Sequence, residues 1–136
     1  MKLKPEYIKS ILEAFLESDR AIPELTEIIT SVMDGEEPDD EFVTHYLALI
    51  DEGFIQPISR NGIKLHEDGE WSWRNCYVRM TSQGHEFIQS LENSQVWKVI
   101  KKDFREESVK TIFSVASQLA TGYAKEKLVK YLNTSP

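Results

Sequence analysis

The sequence predicts a mainly α-helical protein with a small β-hairpin: a winged helix-turn-helix followed by two C-terminal helices. Three observations predict this fold class. Apolar residues recur at helical spacing in three successive segments before residue 53. Residues 54–81 then alternate with a period of two around turn-forming residues, which is typical of a hairpin. Helical spacing returns after residue 81 and continues almost to the end of the sequence.

The chain has 136 residues, of which 40% are apolar, so a globular fold with a modest core is expected. Its net charge of -7 is unevenly distributed. Residues 1–58 carry 14 acidic and 4 basic side chains, a net charge of -10, whereas residues 59–136 carry 9 acidic and 12 basic ones, a net charge of +3. Such segregation influences which partners the surface attracts.

The sequence predicts a cytoplasmic protein that does not cross a membrane. Charged residues interrupt the apolar residues at the start, unlike the apolar region of a signal peptide. The longest weakly charged run, residues 111–124, is shorter than the ~20 apolar residues that a spanning helix needs. The single cysteine, Cys76, cannot form a disulfide within the chain, which suits a reducing compartment.

Three helices are predicted in the first third of the chain. The first runs from about Pro5 to Ser18, with proline in its first turn. The second begins near Pro23 and ends near Gly35. The third begins at Pro38 or Asp39 and ends at Gly53, a favourable C-terminal residue. Its apolar face is formed by Phe42, Val43, Tyr46, Leu47 and Ile50.

The third helix occupies the position of a recognition helix, yet acidic residues surround its start: Glu36, Glu37, Asp39, Asp40 and Glu41. One interpretation is local, because carboxylates stabilise the first turn of a helix through its dipole. The other is functional, because an acidic surface attracts a basic partner and repels DNA.

A hairpin is predicted after the third helix. Residues 54–60 form an edge strand that contains Pro57 and pairs back against the hairpin, and Gly69 marks the turn. The alternation beyond this turn assigns two faces to one continuous strand. One face carries Trp71, Trp73, Asn75, Tyr77, Arg79 and Thr81, and the other carries Ser72, Arg74, Cys76, Val78 and Met80.

Three further helices are predicted after the hairpin. Thr81 or Ser82 caps the first, Asn93 or Ser94 starts the second, and the last runs from about Glu107 to Leu132. We therefore divide the chain into a winged-helix domain, residues 1–92, and a C-terminal helical extension, residues 93–136.

Three segments together resemble a known family: "YLALIDEGFI", "MTSQGHEFIQSLEN" and "SQVWKVIKK". They are similar to the family called domain of unknown function 2513, and the resemblance covers residues from about Lys2 to Leu128. It implies a fold similar to a winged helix and an origin among bacteria, phages and prophages. It implies no activity, and the "WSWRN" segment of the wing departs from the family pattern.

The sequence predicts neither catalysis nor a cofactor. No nucleophile has an evident base beside it, and the glycines do not form a phosphate-binding loop. The histidines His45, His66 and His85 lack the close ligand spacing of a metal site. No catalytic or metal-binding residue is therefore assigned.

Duplex DNA is the predicted partner of a regulator-like protein. In this fold the third helix enters the major groove and the wing contacts the backbone or the minor groove. The third helix would contribute Thr44 and His45 from its exposed side. The wing would contribute Arg60, Asn61, Lys64, Arg74 and Arg79.

The alternative function is an acidic interaction module that binds a basic, nucleic-acid-binding protein. Asp39, Asp40 and Glu41 would face that partner, and Trp71 and Trp73 would anchor it. The simpler expectation for both tryptophans is that they pack on neighbouring helices, because large aromatic residues are mostly buried.

The last helix predicts a homodimer or an intramolecular contact. Small residues at four-residue spacing allow helices to approach closely, and the apolar face is broad for so small a domain. The helix either folds back on the first helix or pairs with a second copy. The residues assigned to a dimer are Phe113, Ala116, Leu119, Ala120 and Tyr123.

Overall fold

The computed structural model describes residues 1–134. Its six helices are α1 (Pro5–Glu17), α2 (Leu25–Val32), α3 (Asp40–Asp51), α4 (Ser82–Glu92), α5 (Ser94–Asp103) and α6 (Val109–Thr134). Its four short strands are β1 (Ile55–Pro57), β2 (Ile63–Leu65), β3 (Trp71–Trp73) and β4 (Val78–Met80). The predicted class, mainly helical with a small hairpin, is confirmed.

The predicted capping residues explain where most of the helices begin. Pro5 occupies the first turn of α1. The side chain of Asp39 accepts a hydrogen bond from the backbone N–H of Phe42, and that of Thr81 accepts one from Gly84. Asn93 caps α5 in the same way, bonding two backbone N–H groups. These side chains satisfy amide groups that have no partner within the helix.

Strand β4 is the centre of a small antiparallel arrangement. It pairs with β1 in the register Ile55 to Met80, so the predicted return of the edge strand is confirmed. On the other edge, Glu24 forms a bridge with Tyr77, and the N–H of Val78 donates to the carbonyl of Pro23. The segment between α1 and α2 thus completes this small sheet.

Strands β2 and β3 form the wing, with Ile63 opposite Trp73 and Leu65 opposite Trp71. Gly62 starts β2 at the base of the wing with φ +86, in the left-handed region. A side chain there would lie 2.7 Å from the carbonyl oxygen of Arg74. Only glycine allows the two sides of the wing to approach so closely.

The prediction of one continuous strand from Trp71 to Thr81 is wrong. Residues 74–76 have no strand structure, and the inward-facing positions change there. Trp71 and Trp73, on one predicted face, are half-buried, and Val78 and Met80, on the opposite predicted face, are buried. The inward-facing side of the chain therefore switches between Trp73 and Val78. The side-chain oxygen of Asn75 accepts the N–H of Thr26, and this bond replaces strand pairing at the break.

The buried residues form one cluster that runs from α1 to α6. An aromatic trio lies within it, since the ring of Phe54 is 4.8 Å from that of Phe87 and 5.0 Å from that of Phe113. Helix α6 packs on α4 and α5, and α4 also contacts α1. Residues on both sides of the predicted division at residue 92 therefore belong to the same core. Residues 135 and 136 of the predicted extension lie outside the described residues.

The expectation that α6 folds back on α1 is corrected by this packing, because α6 packs chiefly on α4 and α5. Ala116 is fully buried and Phe113 belongs to the aromatic trio. Leu119, Ala120 and Tyr123 also pack against the core of the same chain. The residues assigned to a dimer thus have intramolecular contacts on α4 and α5, and homodimerisation stays a prediction that these contacts do not require.

Candidate nucleic-acid interface

One side of the wing is concave and basic. A cavity of about 720 Å³ lies between the wing and the start of β4. Its charged lining residues are Arg60, Lys64 and Arg74, which the sequence analysis assigned to DNA, and no acidic residue lines it. The remaining polar lining comprises Ser59, Asn61, His66, Ser72, Asn75 and Tyr77.

The backbone of the wing fixes the spacing of the basic residues. Lys64 lies in β2 opposite Ser72 of β3. The N–H of Arg74 donates to the carbonyl of Gly62 at 2.8 Å, which places Arg74 beside the start of β2. Arg60, in the loop between β1 and β2, and Lys64 and Arg74 of the hairpin are all exposed, so the three cations face solvent.

Arg79, the fourth cation among the predicted wing contacts, lies outside this cavity. It is half-buried, and its Nε atom donates to the side-chain oxygen of Gln56 at 2.8 Å. The bond joins β4 to β1 across the sheet. The structure therefore separates Arg79 from the three cations of the cavity.

Asn75, Tyr77 and Arg20 complete this region, and the sequence analysis did not assign them to the site. Asn75 and Tyr77 line the cavity. The guanidinium of Arg20 lies over the ring of Tyr77 at 5.9 Å, which adds a fourth cation at the edge of the cavity. The break in the strand at Asn75 brings these residues together, and regular alternation contains no signal for that break.

The floor of the cavity is held by a tyrosine and the only cysteine. The hydroxyl of Tyr46 donates to the carbonyl of Asn61 at 2.6 Å. Burial raises the pKa of the Cys76 thiol, and the hydrogen bond with Tyr46 opposes that shift. Because its pKa is raised, the thiol is neutral near pH 7. Cys76 is half-buried and lines the cavity, so the rate at which a thiol reagent modifies it measures access to the cavity.

The acidic residues at the start of α3 have partners within the chain. Asp39 caps the helix, with its Oδ1 atom 2.9 Å from the backbone nitrogen of Phe42. Glu41 pairs with Lys4, whose Nζ lies 2.8 Å from the carboxylate. Both contacts favour the local interpretation of this cluster over the functional one.

Two of these acids bind the wing. The indole N–H of Trp71 donates to Asp40 at 2.6 Å, and that of Trp73 donates to Glu37 at 3.1 Å. Both tryptophans are half-buried and pack against the core, as the simpler expectation held. Of the residues predicted to bind a protein partner, Trp71 and Asp40 thus bond each other, and Trp73 bonds the neighbouring Glu37.

The predicted exposure of His45 is wrong, because this side chain is fully buried. Its Nε2 atom accepts the backbone N–H of Lys4 at 2.8 Å, and its Nδ1 atom lies 2.7 Å from the carbonyl of Glu41. The ring stacks on Tyr7 at 4.5 Å. Since both nitrogens are engaged, His45 connects α3 to the start of α1 and presents no atom to DNA. Thr44 is half-buried.

The electrostatics of this region follow from the burial of the His45 ring. Burial lowers the pKa of His45, and the hydrogen bond to the Glu41 carbonyl opposes that shift. Burial also raises the pKa of Tyr7 to about 12, with help from the carboxylates of Asp39 and Glu41. Both rings are therefore uncharged near neutral pH.

Within residues 1–134, no three side chains among His, Cys, Asp and Glu come close enough together to hold a metal ion. Over the same residues, no helix is long and apolar enough to cross a membrane.

Comparison with known proteins identifies one family. No curated protein and no solved structure matches the chain. The family described as "Hypothetical protein (DUF2513)" matches residues 2–110, which extend from Lys2 to the first turn of α6. That span includes the small sheet and the basic cavity. The chain belongs to the DUF2513 family.

Proposed function

We propose that this chain is a non-enzymatic, regulator-like winged-helix protein that binds duplex DNA through its wing. The observation that carries the proposal is the cavity of the wing, which is lined by three cations and no acid. Phosphate neutralisation by Lys and Arg supplies most of the affinity of proteins for DNA. The wing offers that charge on a rigid concave surface.

The charges of α3 support a docking mode led by the wing. The helix, "DEFVTHYLALID", contains no Lys or Arg. Its ends carry the exposed acids Asp40 and Asp51. Placing this helix deep in a major groove would bring carboxylates towards phosphates without compensation. The wing is the surface of this fold that approaches DNA at lower electrostatic cost.

The attachment of the wing to α3 supports the same mode. Trp71 and Trp73 hold the hairpin against α3 through Asp40 and Glu37. The backbone positions of Lys64 and Arg74 are therefore set by the hairpin before any ligand binds. Preorganisation of this kind reduces the entropy lost on binding.

The proposal is tested by fluorescence anisotropy with a labelled duplex at low salt. Replacing the three cavity cations together (Arg60→Gln, Lys64→Gln, Arg74→Gln) is expected to weaken binding by at least about tenfold. The matched control removes the same charge from exposed lysines elsewhere: Lys98→Gln, Lys102→Gln and Lys110→Gln. Equal losses in both triple variants would contradict a wing site, and no binding by the unmodified chain would contradict the function itself.

Thr44 distinguishes wing-led docking from insertion of α3. Thr44 is a half-buried polar residue of α3 with a predicted DNA contact, and Thr44→Ala removes its hydroxyl without adding charge. Wing-led docking predicts less than about a twofold change in the dissociation constant, whereas loss of a base contact costs about 1–3 kcal/mol. A tenfold loss would place α3 in the groove.

The acidic surface favours a second candidate function, binding of a basic protein. The exposed residues Asp51 and Glu52 at the end of α3 have no side-chain partner in the described part of the chain. A labelled oligo-arginine peptide is a direct probe of this surface. Asp51→Lys with Glu52→Lys would abolish peptide binding on this alternative, and would leave or strengthen DNA binding on the wing proposal.

A further inference from the structure

The side chains that line the wing cavity are biased towards hydrogen-bond donors. Arg60, Lys64 and Arg74 can only donate, because guanidinium and ammonium groups have no acceptor. The hydroxyl of Ser59 is able to donate as well, whereas Nε2 of His66 and Oγ of Ser72 lie 3.0 Å apart and bond each other. No carboxylate is present to accept.

The two asparagines of the cavity strengthen this bias, because an amide has one acceptor and one donor end. The Oδ1 atom of Asn61 accepts the backbone N–H of Ile63 at 2.8 Å. The Oδ1 atom of Asn75 accepts the backbone N–H of Thr26 at 3.0 Å. With both oxygens engaged in the fold, each asparagine has its NH₂ group left to offer to a ligand.

Backbone carbonyls around the cavity are engaged in the same way. The carbonyl of Asn61 accepts the hydroxyl of Tyr46, and that of Gly62 accepts the N–H of Arg74. The carbonyls of Cys76 and Tyr77 accept the N–H groups of Leu25 and Ile58. These four carbonyls each accept a bond within the fold, whereas the side chains of Arg60, Lys64 and Arg74 have no such bond in the described part of the chain. The cavity therefore suits a ligand rich in acceptors.

Resting on the function proposed above, we infer that the wing enters the minor groove and prefers A·T to G·C base pairs there. In the minor groove an A·T pair presents only acceptors, whereas a G·C pair adds the N2 amino group of guanine, a donor. That amino group would face the NH₂ groups of Asn61 and Asn75, donor against donor. A·T-rich segments also have a narrow minor groove, whose negative potential attracts Arg and Lys.

The wing tip limits how this contact forms. Glu67, Asp68 and Glu70 lie in the turn between β2 and β3 and are exposed. Asp68 accepts the backbone N–H of Glu70 at 2.9 Å, so it serves the turn. DNA phosphates would repel these carboxylates. The cavity side of the hairpin is therefore favoured over its tip for contact with the minor groove.

Three labelled duplexes of equal length and strand charge test the inference by anisotropy with the full chain. Their central segments contain A·T, G·C or inosine·cytosine pairs. Inosine lacks the N2 amino group, so its pair with cytosine resembles A·T in the minor groove and G·C in the major groove. We expect the A·T and inosine duplexes to bind equally, and at least about fivefold tighter than the G·C duplex.

Each other outcome has a defined meaning. Equal binding of all three duplexes would overturn the preference and leave DNA binding by the wing intact. Inosine binding as weakly as G·C would overturn it too, because the discrimination would then lie in the major groove. No binding of any duplex would overturn the proposed function and this inference together.

Asn75→Asp is the diagnostic variant. It preserves the acceptor that Thr26 requires and replaces the outward donor with an acceptor. The readout is the ratio of the G·C to the A·T dissociation constant, in which the added charge largely cancels. That ratio should fall towards one, while Asn133→Asp, which adds the same charge on an exposed position of α6, should leave it unchanged. An unchanged ratio in Asn75→Asp would overturn the assigned role of this amide.

Discussion

The indole N–H of Trp71 donates to the carboxylate of Asp40 at 2.6 Å, across 31 positions of sequence. This bond ties the wing to the start of α3. Three neighbouring acids also have partners within the chain: Glu37 accepts the indole N–H of Trp73, Asp39 caps α3, and Glu41 pairs with Lys4. The negative charge at the start of this helix thus serves to hold the wing and the N-terminal segment in place.

A double-mutant cycle on Trp71→Phe and Asp40→Asn measures the tie between the wing and α3. We expect each single variant to lower the free energy of unfolding, with a coupling energy of about 1 kcal/mol or less, since Asp40 is exposed to solvent. Urea denaturation gives the four values. Trp97→Phe serves as the tryptophan control, because this ring lies in α5 beside Lys9 and Lys101. Its cycle with Asp40→Asn should show no coupling.

The helices were predictable because their signals are local. Proline in the first turn, a capping side chain and a change of period each depend on a few neighbouring residues, as at Pro5, Asp39 and Thr81. The pairing of β1 with β4 was also predictable, because alternating strands on either side of a hairpin pair with each other.

The burial of His45 was not predicted, although its spacing contained the signal. Phe42, His45 and Leu49 are spaced by three and four residues, so they share one face of α3. The polarity of histidine hid this pattern. Its hydrogen bond to Lys4, 41 positions away, satisfies the buried ring, and no local rule anticipates such a partner.

The cavity was predicted only in part, for a similar reason. Arg60, Lys64 and Arg74 were assigned from the hairpin pattern. Asn75 and Tyr77 reach the cavity because the strand breaks where Asn75 bonds Thr26, 49 positions away. Contacts at such separation are set by tertiary packing, which overrides the local alternation.

Gly84 and Gly122 form a matched pair of glycine-to-alanine tests. A Cβ at Gly84 would lie 2.3 Å from the carbonyl oxygen of Phe54, so α4 would have to move away from β1. Gly84→Ala should therefore destabilise the fold by about 1–3 kcal/mol. Gly122 lies in α6 with nothing within 4 Å, and Gly122→Ala should stabilise by up to about 1 kcal/mol.

Thermal or urea denaturation compares the two glycine variants. A stable Gly84→Ala protein would contradict the close approach of α4 to the end of α3 and β1. The Gly122 variant controls for the general effect of replacing a helical glycine.

His45 predicts a dependence of stability on pH. Burial holds its folded-state pKa below the ordinary value of 6.5, with Lys4 adding to the shift and Glu41 opposing it. The unfolded chain therefore takes up the proton first as the pH falls. The free energy of unfolding should be unaffected by this group above about pH 7 and should decline below pH 6.5, by at most about 1.4 kcal/mol per pH unit.

Urea denaturation between pH 5 and pH 8 measures this slope, and His85→Gln is the control because His85 is exposed. His45→Gln should flatten the decline and His85→Gln should preserve it. A decline that is identical in both variants would assign the pH dependence to other groups.

Replacing the acidic residues of the wing tip by neutral ones is expected to increase the affinity for DNA. Glu67→Gln together with Glu70→Gln removes two exposed carboxylates from the hairpin that carries the cationic cavity. Reduced repulsion should tighten duplex binding by about twofold to threefold per charge at low salt. Glu92→Gln with Glu107→Gln makes the same change in net charge away from the wing, and an equal gain there would point to overall charge and not to the wing.

The salt dependence of duplex binding tests wing-led docking most directly. Three phosphate contacts from Arg60, Lys64 and Arg74 predict that log K falls with log salt at a slope of about -2.7. The slope should approach zero in the triple glutamine variant and stay unchanged in the Lys98, Lys102 and Lys110 control. An unmodified slope in the wing variant, or no binding by the native chain at low salt, would contradict the account.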